Sequence, residues 1–266
     1  NETGKYQVFF EETQGTALFK QYIWASGNSG FALTGVGRNP QEYPTVSIEN
    51  GIDGSRAIKL ETKSTGQFGE TVKMPIAAGN LFLGSFDVNN AVQKPLKATL
   101  FGLPFGKKPL KFKGYYKYVP GTQSFKAKDK NGNTVTISRQ EDEGDIYAVL
   151  YEAAGLDGKV LDGNNVLTSK NIVALARVEV EKTDRYIEFE TSFQYGERKE
   201  ISWPQFIYRD PSDDGTGKYL RFSEEKMKNY EYNLAVVFTS SKYGAYFAGS
   251  VGSTLCIDKV EIVCEK

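Results

Sequence analysis

Apolar and polar side chains alternate with a period of two over several segments, the pattern of a strand with one buried and one exposed face. Lys111–Tyr118 places three aromatic rings and a glycine on one face, and three lysines with Tyr115 on the other. Tyr186–Tyr195 alternates in the same way and carries an acidic outer face. The spacing predicts half-buried antiparallel strands in both segments. We expect further strands in Lys5–Phe10, Ala57–Thr62, Thr71–Met74, Leu81–Val88, Ile172–Glu181 and Trp203–Tyr208.

Three other segments are apolar runs, one of them (Asp145–Glu152) apolar on both faces, which is typical of strands buried within a structure. They are Asp145–Glu152, Leu234–Thr239 and Leu255–Val263. The connector between the last two consists mainly of Ser, Gly, Ala and Tyr and has no helical period. Gly and Ser favour loop conformations. The stretch Tyr232–Cys264 therefore predicts the closing hairpin or crossover of a β-sandwich.

Turn and helix signals complete the pattern. Asn131-Gly132, within Asp129–Asn133, is a hairpin turn signal. Only Ser223–Tyr230 is expected to be helical, with Ser223 as its N-cap. We expect irregular loops in Thr13–Asn50 and Leu156–Asn165, which are rich in Gly and in polar residues.

Strands are not separated by long helices, and neither a linker nor an internal repeat is evident. The sequence therefore predicts an all-β fold, an antiparallel β-sandwich, in a single domain spanning residues 1–266.

Charge and composition narrow the function classes. The 266 residues contain 33 Lys and Arg against 33 Asp and Glu, so the formal net charge is zero. Nucleic-acid-binding proteins usually present a net basic surface, so we do not expect a nucleic-acid partner. No apolar stretch of about 18 residues is present, so no membrane-spanning helix is expected. The chain begins at Asn1 rather than Met, and we expect a leader to be absent from this sequence.

The absence of histidine and the scarcity of cysteine exclude several kinds of site. Without His the chain cannot build a Ser-His-Asp triad or a His-ligated zinc site, and two Cys cannot form an all-thiolate zinc site. Cys256 and Cys264 lie eight apart in one predicted strand, roughly 26 Å along it, too far for a disulfide. We interpret both as small apolar residues. Carboxylate chemistry, calcium and plain binding remain.

A structural calcium ion is compatible with two sets of acids. Asp210–Gly215 partly resembles the start of a calcium loop, but its twelfth position is Arg221 instead of Glu. By analogy with other sandwich modules, Glu11 and Asp258 could also hold calcium between the first and last strands. The alternative interpretation has Asp258 bonding the backbone of a neighbouring loop. We expect no other cofactor.

Aromatic residues beside loops or on polar faces are the candidate ligand site. Sugar rings present apolar CH faces that stack on aromatic rings, so Trp24, Tyr115 and Tyr208 are the candidate ligand-binding residues. Trp203, which precedes Pro204, is expected in the core. Catalytic residues cannot be assigned, because 33 acids make a pair at glycosidase spacing nearly certain by chance.

Three separated motifs resemble the PCMD family, the putative carbohydrate metabolism domain of Bacteroidetes surface and periplasmic proteins. They are DGSRAIKLET (Asp53–Thr62) followed by AGNLF (78–82), GLPFGKKPLKFKGYYKYVPG (Gly102–Gly121), and SSKYGAYFAGSVGSTLCIDKVEI near the C-terminus. The resemblance implies a jelly-roll-like sandwich, a role with glycans, and a location in the periplasm or on the outer-membrane surface.

From the resemblance we expect non-catalytic glycan binding within a cell-envelope polysaccharide-handling system. The alternatives are a glycoside hydrolase or lyase that uses two carboxylates, and a structural or adhesive surface module. The pattern makes no prediction of the oligomeric state.

Overall fold

The computed structural model describes residues 2–13, 19–153, 156 and 160–266. Most of its strands belong to two antiparallel sheets, a large sheet of nine strands and a small sheet of five. The main path of the large sheet runs, in spatial order, through Leu161–Asp162, Thr99–Phe101, Asn80–Phe86, Tyr232–Thr239, Asp145–Glu152, Ile172–Val178 and Gln194–Tyr195. Two further strands, Leu103–Pro104 and Trp24–Ala25, pair with Tyr232–Thr239 and Asn80–Phe86 respectively.

The small sheet packs against the large one. Its order is Thr183–Ser192, Pro109–Val119, Thr254–Cys264, Ala57–Glu61 and Thr45–Ile48. Among the described residues, four two-stranded antiparallel pairs lie outside both sheets: Glu2–Thr3 with Gln7–Val8, Glu11–Thr13 with Phe19–Gln21, Lys63–Ser64 with Ile76–Ala77, and Lys126–Lys128 with Thr134–Thr136. The predicted all-β, jelly-roll-like antiparallel sandwich is confirmed.

The sandwich core lies between the inner faces of the two sheets. Phe112 of the small sheet is fully buried, and its ring centroid lies 5.1 Å from that of Phe189 and 5.9 Å from that of Phe238 on the large sheet. Leu60, Leu255 and other residues of the predicted inward positions join this cluster. Burying an apolar side chain of this size stabilises the fold by about 1.5–3 kcal/mol. The period-two pattern therefore predicted the inner face correctly.

Most predicted strands form close to their predicted bounds. Lys111–Tyr118 lies within Pro109–Val119, and Asp145–Glu152 has the predicted bounds and seven buried residues. The hairpin turn also forms: Gly132 adopts a positive φ of 76°, and the Asp129 carboxylate accepts hydrogen bonds from the backbone N–H groups of Asn131 and Asn133.

Two predicted strands are wrong. Thr71–Met74 instead ends a helix, Gly66–Thr71, where Lys73 takes a left-handed φ of 59° and Met74 N–H donates to the Gly69 carbonyl. Trp203–Tyr208 forms a turn, in which Ile207 N–H donates to the Pro204 carbonyl. In both segments a local backbone bond closes a turn in place of a sheet ladder.

Helices are more numerous than predicted. The expected helix forms as Glu224–Lys228, and the Ser223 hydroxyl accepts the Lys226 N–H. Two other short helices, Asn28–Ala32 and Gly66–Thr71, contain glycine and lack the apolar period that would have indicated them. Single 3₁₀ turns form at Pro40–Glu42, Ile52–Gly54, Val88–Asn90, Pro95–Lys97 and Gly244–Tyr246.

The two predicted irregular stretches are partly ordered. Thr13–Asn50 contains the Thr45–Ile48 edge strand, and Leu156–Asn165 contains the short strand Leu161–Asp162. Residues 14–18 and 157–159 of these stretches lie outside the described part of the chain. Over the described ranges, no helix is long and apolar enough to cross a membrane.

Candidate functional site

The outer face of the large sheet, the face turned away from the small sheet, forms the floor of a cleft of about 200 Å³. Three adjacent strands supply the floor in two rows across the sheet: Phe82, Val237 and Tyr147 in one row, and Asn80, Thr239 and Asp145 in the next. One row is apolar and aromatic, and the other carries hydrogen-bonding groups. Within each row, hydrogen-bonded neighbours lie about 90 to 160 residues apart in the chain.

Aromatic side chains from the surrounding segments line the cleft. Trp203, Tyr246 and Phe247 come from two loops, whereas Phe31 and Phe68 come from the two short helices that the sequence did not predict. Ligand sites are usually concave, mostly apolar and aromatic, with a few placed polar groups. The cleft has this composition.

Both charged residues among the described residues of the cleft lining are paired. The Arg177 guanidinium donates from Nε (2.9 Å) and Nη2 (2.7 Å) to the two oxygens of Asp145, whose side chain is 3% exposed. Burial alone would lower the pKa of Arg177, but the charge and hydrogen bonding of Asp145, with smaller contributions from Tyr147 and Tyr243, together outweigh it and raise that pKa. Lys242 donates to Glu143 at 2.6 Å. The cleft is therefore close to neutral.

Trp203 is the largest ring of the lining, and aromatic residues surround it. It is half-buried, with its ring centroid 5.9 Å from that of Tyr246 in an edge-on arrangement and 6.3 Å from that of Tyr243. The Arg209 guanidinium lies 4.9 Å from the indole centroid. Trp203 thus belongs to a small aromatic cluster outside the sandwich core.

A buried carboxylate anchors the loop that carries Tyr246 and Phe247. Asp142 accepts hydrogen bonds from the Ser241 hydroxyl (2.6 Å), the Ser250 N–H (2.8 Å) and the Ser253 hydroxyl (2.7 Å). Burial raises the pKa of Asp142, and these hydrogen bonds offset only part of that rise. Because the bonds hold both ends of the loop, they define where its aromatic residues face the cleft.

The same loop contains a strained residue. Phe247 adopts a left-handed conformation, φ 57° and ψ 33°, which is rare for a bulky side chain. The Lys128 ammonium lies 4.4 Å from its ring centroid. Such strain persists only where surrounding contacts determine the conformation, and it concentrates at functional sites.

The three ligand-binding residues predicted from sequence lie on three different surfaces, and none lines the cleft. Trp24 packs on the inner side of the large sheet, 6.3 Å from the Phe238 ring, and its indole N–H donates to Glu11 at 2.8 Å. Tyr115 lies on the outer face of the small sheet. Tyr208 is 54% exposed on a loop.

Trp203 differs from its expected place. It lies outside the sandwich core and lines the cleft instead. Sequence reasoning also missed Tyr147 and Tyr246. The sequence did contain a signal for Tyr147. Its strand, Asp145–Glu152, is apolar on both faces, so other segments must cover the outer face on which Tyr147 lies. Tyr246 lies in the C-terminal motif, where Tyr243, Tyr246 and Phe247 interrupt an otherwise small-residue loop.

The candidate calcium ligands have protein partners. Asp258 accepts the Ile52 N–H at 2.7 Å and the Ser55 hydroxyl, which is the backbone-bonding arrangement considered as the alternative to calcium. Glu11 accepts from Trp24, and Asp210 accepts the Ser212 N–H at 2.9 Å. Over the described residues, no group of three or more His, Cys, Asp or Glu side chains could hold a metal ion.

Comparison with known proteins decides the family. The family model described as putative carbohydrate metabolism domain matches residues 1–263. The chain belongs to this family. The PCMD assignment agrees with the three motifs, which are spread from Asp53 to Ile262. None of the curated protein sequences matches the chain.

Two solved structures are similar to this PCMD chain over nearly all of its length. A putative glycoside hydrolase from Bacteroides thetaiotaomicron is 41% identical, with a TM-score of 0.81, over 100% of this chain and 70% of that chain. A putative glycoside hydrolase from Bacteroides vulgatus is 37% identical, with a TM-score of 0.77, over 98% and 91%. A likeness to a family 11 carbohydrate-binding module of Clostridium thermocellum has a TM-score of 0.37 at 10% identity, over 83% of this chain and 81% of that one, and carries no argument about function.

Proposed function

We propose that this PCMD chain binds a neutral glycan, without cleaving it, in the cleft on the outer face of the large sheet. The observation that carries the proposal is the half-buried Trp203, packed edge-on against Tyr246 beside a floor with one apolar and one polar row. An aromatic ring can stack on the CH face of a sugar, while Asn80 and Thr239 offer groups that can bond its hydroxyls.

The charges of the cleft support a neutral ligand. Asp145 is neutralised by Arg177, and Lys242 by Glu143. An acidic glycan would need an unpaired cation, and the predicted lysine face does not offer one at Lys111 or Lys113, which pair with Glu190 and Glu261.

The carboxylates favour binding over hydrolysis. Most glycoside hydrolases use two carboxyl groups, on either side of the scissile bond. Asp145 is the single carboxylate among the described residues that line the cleft, and both of its oxygens accept hydrogen bonds from Arg177. A carboxylate held in this way is poorly placed to donate a proton. Hydrolysis is nevertheless tested directly, because both similar structures are described as putative glycoside hydrolases.

The test is calorimetric titration with neutral hexasaccharides of glucose, xylose, mannose and galactose, together with an assay of reducing-sugar release. We expect saturable binding of at least one hexasaccharide and no sugar release. Trp203→Ala should weaken that binding by roughly 1 kcal/mol, about fivefold. If the wild type releases reducing sugar and Asp145→Asn does not, the protein is a hydrolase and the proposal of non-catalytic binding is wrong.

Trp24→Ala is the matched control, since it removes the other tryptophan from the opposite side of the large sheet. Tyr115→Ala and Tyr208→Ala complete the set predicted from the sequence. If one of these three variants weakens binding and Trp203→Ala does not, the ligand binds at the residue predicted from the sequence and does not bind in the cleft. The free energy of unfolding of each variant separates lost binding from lost folding.

We also propose a location in the periplasm or on the outer-membrane surface. The resemblance to envelope proteins motivates it, and the two similar structures from Bacteroides support the bacterial group. Fractionation of cells that produce the full-length protein, followed by protease treatment of intact cells, tests it. Recovery only in the cytoplasm would contradict it.

A further inference from the structure

Arg209 contacts three parts of the cleft although it does not line the cleft itself. Its guanidinium lies 4.9 Å from the Trp203 ring centroid, and its Nη2 donates to the Thr168 hydroxyl at 2.9 Å. Tyr246, whose ring centroid lies 5.9 Å from that of Trp203, also interacts electrostatically with Arg209 and helps to raise its pKa, after the larger effect of Asp214. Trp203, Thr168 and Tyr246 all line the cleft, and each comes from a different segment.

Asp214 holds the guanidinium in this place. Both Asp214 oxygens accept from Arg209, each at 2.5 Å, and the Arg209 side chain is only 10% exposed. A planar guanidinium can bond a carboxylate with its fork and stack on an aromatic ring at the same time, which an ammonium cannot. One face of the Trp203 indole is therefore occupied by Arg209.

We propose that Arg209 is a positioning residue of the cleft, which fixes the orientation of the Trp203 ring and ties it to the Thr168 and Tyr246 segments. The role in ligand binding rests on the proposed function; the effect on the ring does not. The segment around Trp203 forms neither strand nor helix and has a single turn bond, from Ile207 N–H to the Pro204 carbonyl, so side-chain contacts contribute to the placement of the ring.

The hydrogen bonding of Arg209 agrees with this role. Its Nε is buried and has no partner among the described residues. A buried donor left without a partner lowers the stability of the fold, so other contacts of the Arg209 side chain must offset this cost. Contacts at Asp214, Thr168 and Trp203 together hold the side chain there.

The experiment uses Trp203 as the only tryptophan. The chain has two, so Trp24→Phe leaves Trp203 as the single reporter of indole fluorescence. In this background, acrylamide quenching is measured without ligand for the parent, Arg209→Met, Arg209→Lys and Arg198→Met. Arg198 is the matched control: it lies 5.2 Å from the Tyr219 ring centroid and bonds the Leu167 and Ser169 carbonyls, without a contact to Trp203.

We expect Arg209→Met to raise the acrylamide quenching constant of Trp203 about twofold and to shift its emission, whereas Arg198→Met leaves both unchanged. Arg209→Lys should restore only part of the parent signal, because an ammonium keeps the charge and loses the fork. Quenching and emission that are the same in Arg209→Met and Arg198→Met would overturn the proposal. If Arg209→Met does not fold, Asp214→Asn, which weakens the fork at nearly constant volume, is measured in its place with the same expected direction.

The hexasaccharide that binds the wild type is then titrated into the same variants. We expect Arg209→Met to weaken binding about five- to tenfold, the loss expected from roughly 1 kcal/mol or slightly more for one cation–π contact. A changed Trp203 signal with undiminished binding would overturn the role of Arg209 in the site. A changed signal in a protein whose wild type binds no hexasaccharide would contradict the proposed function and leave the positioning of Trp203 standing.

Discussion

The outer faces of the two sheets differ sharply, although strands with one apolar inner face build both sheets. The outer face of the small sheet carries partly exposed ion pairs, such as Lys111 with Glu190 and Lys59 with Glu61. Tyr115 lies half-buried on the same face. The outer face of the large sheet is covered by loops and short helices and buries Phe82, Tyr147 and Val149. A cleft forms on a sheet face here only where other segments cover that face and leave space between them.

The sequence of the strands reflects this difference. The small-sheet strand Pro109–Val119 alternates buried and exposed residues, whereas Asp145–Glu152 in the large sheet is buried on both faces. Ion pairs on this more exposed face are screened by water and contribute little stability. The Asp145–Arg177 pair beneath the cleft lies in a far less polar environment, where an unpaired charge is costly.

The largest expected difference between the two faces is in packing. Phe82 is fully buried, 4.9 Å from the Phe101 ring centroid, so Phe82→Ala should lower the free energy of unfolding by about 3–5 kcal/mol. Tyr115→Ala on the small sheet should cost about 1 kcal/mol or less. Urea unfolding of both variants measures the difference. Equal costs would show that the two faces are equally buried in solution.

The next effect concerns the ion pairs. Arg177→Met leaves the Asp145 carboxylate buried without its partner, and we expect a loss of about 2–3 kcal/mol, below the range for fully buried pairs because Arg177 is 23% exposed. Lys111→Met removes a pair whose side chains are about half exposed and should change stability by less than about 1 kcal/mol. The same unfolding measurements compare them, and a larger loss in Lys111→Met would contradict the comparison.

The contribution of the Arg209–Asp214 ion pair to the free energy of unfolding should depend on pH. Burial alone would raise the pKa of Asp214, but hydrogen bonds from Arg209 and Thr168 and the Arg209 charge outweigh it and hold that pKa below its ordinary 3.8. Asp214 is then the weaker acid in the unfolded chain, so its contribution is present above pH 3.8 and is lost as the pH falls through the lower, folded value.

Asp214→Asn should therefore cost about 1–2 kcal/mol at pH 7, and the difference from the wild type should shrink as the pH falls below about 3.8. Denaturant unfolding at pH 7, 4 and 3 follows it. A difference that stays constant over this range would mean that the Asp214 charge does not stabilise the fold.

The smallest expected effects concern salt and metal. Because the charges of the cleft are paired, raising NaCl from 0.05 to 0.5 M should change glycan affinity by less than about twofold. A steep fall would indicate an acidic glycan and an unpaired cation at the site. EDTA should leave both the melting temperature and the affinity unchanged, and a lowered melting temperature that calcium restores would establish a structural calcium ion.

The sequence by itself determined most of the strands and the inner faces that form the core. Alternation in Lys111–Tyr118 and apolar runs such as Leu255–Val263 predicted strands that form at those places, because the period of a strand is a local property of the chain. The motifs near Asp53, Gly102 and Ser240 were specific enough to indicate the family. The lack of histidine excluded a Ser-His-Asp triad and a His-ligated zinc site built from this chain alone.

Only the tertiary structure decided the cleft. Phe82, Tyr147 and Val237 become neighbours through strand register, which joins positions up to 155 residues apart and leaves no local pattern. Trp24 and Trp203 both lie in or beside segments that read as loops in the sequence. Trp24 nevertheless packs on the inner side of the large sheet, whereas Trp203 lines the cleft. What separates them is a set of long-range contacts: Trp24 packs against Phe238, whereas Trp203 packs against Tyr243 and Tyr246. A side chain is directed by whatever packs against it, and those partners lie far away in the chain.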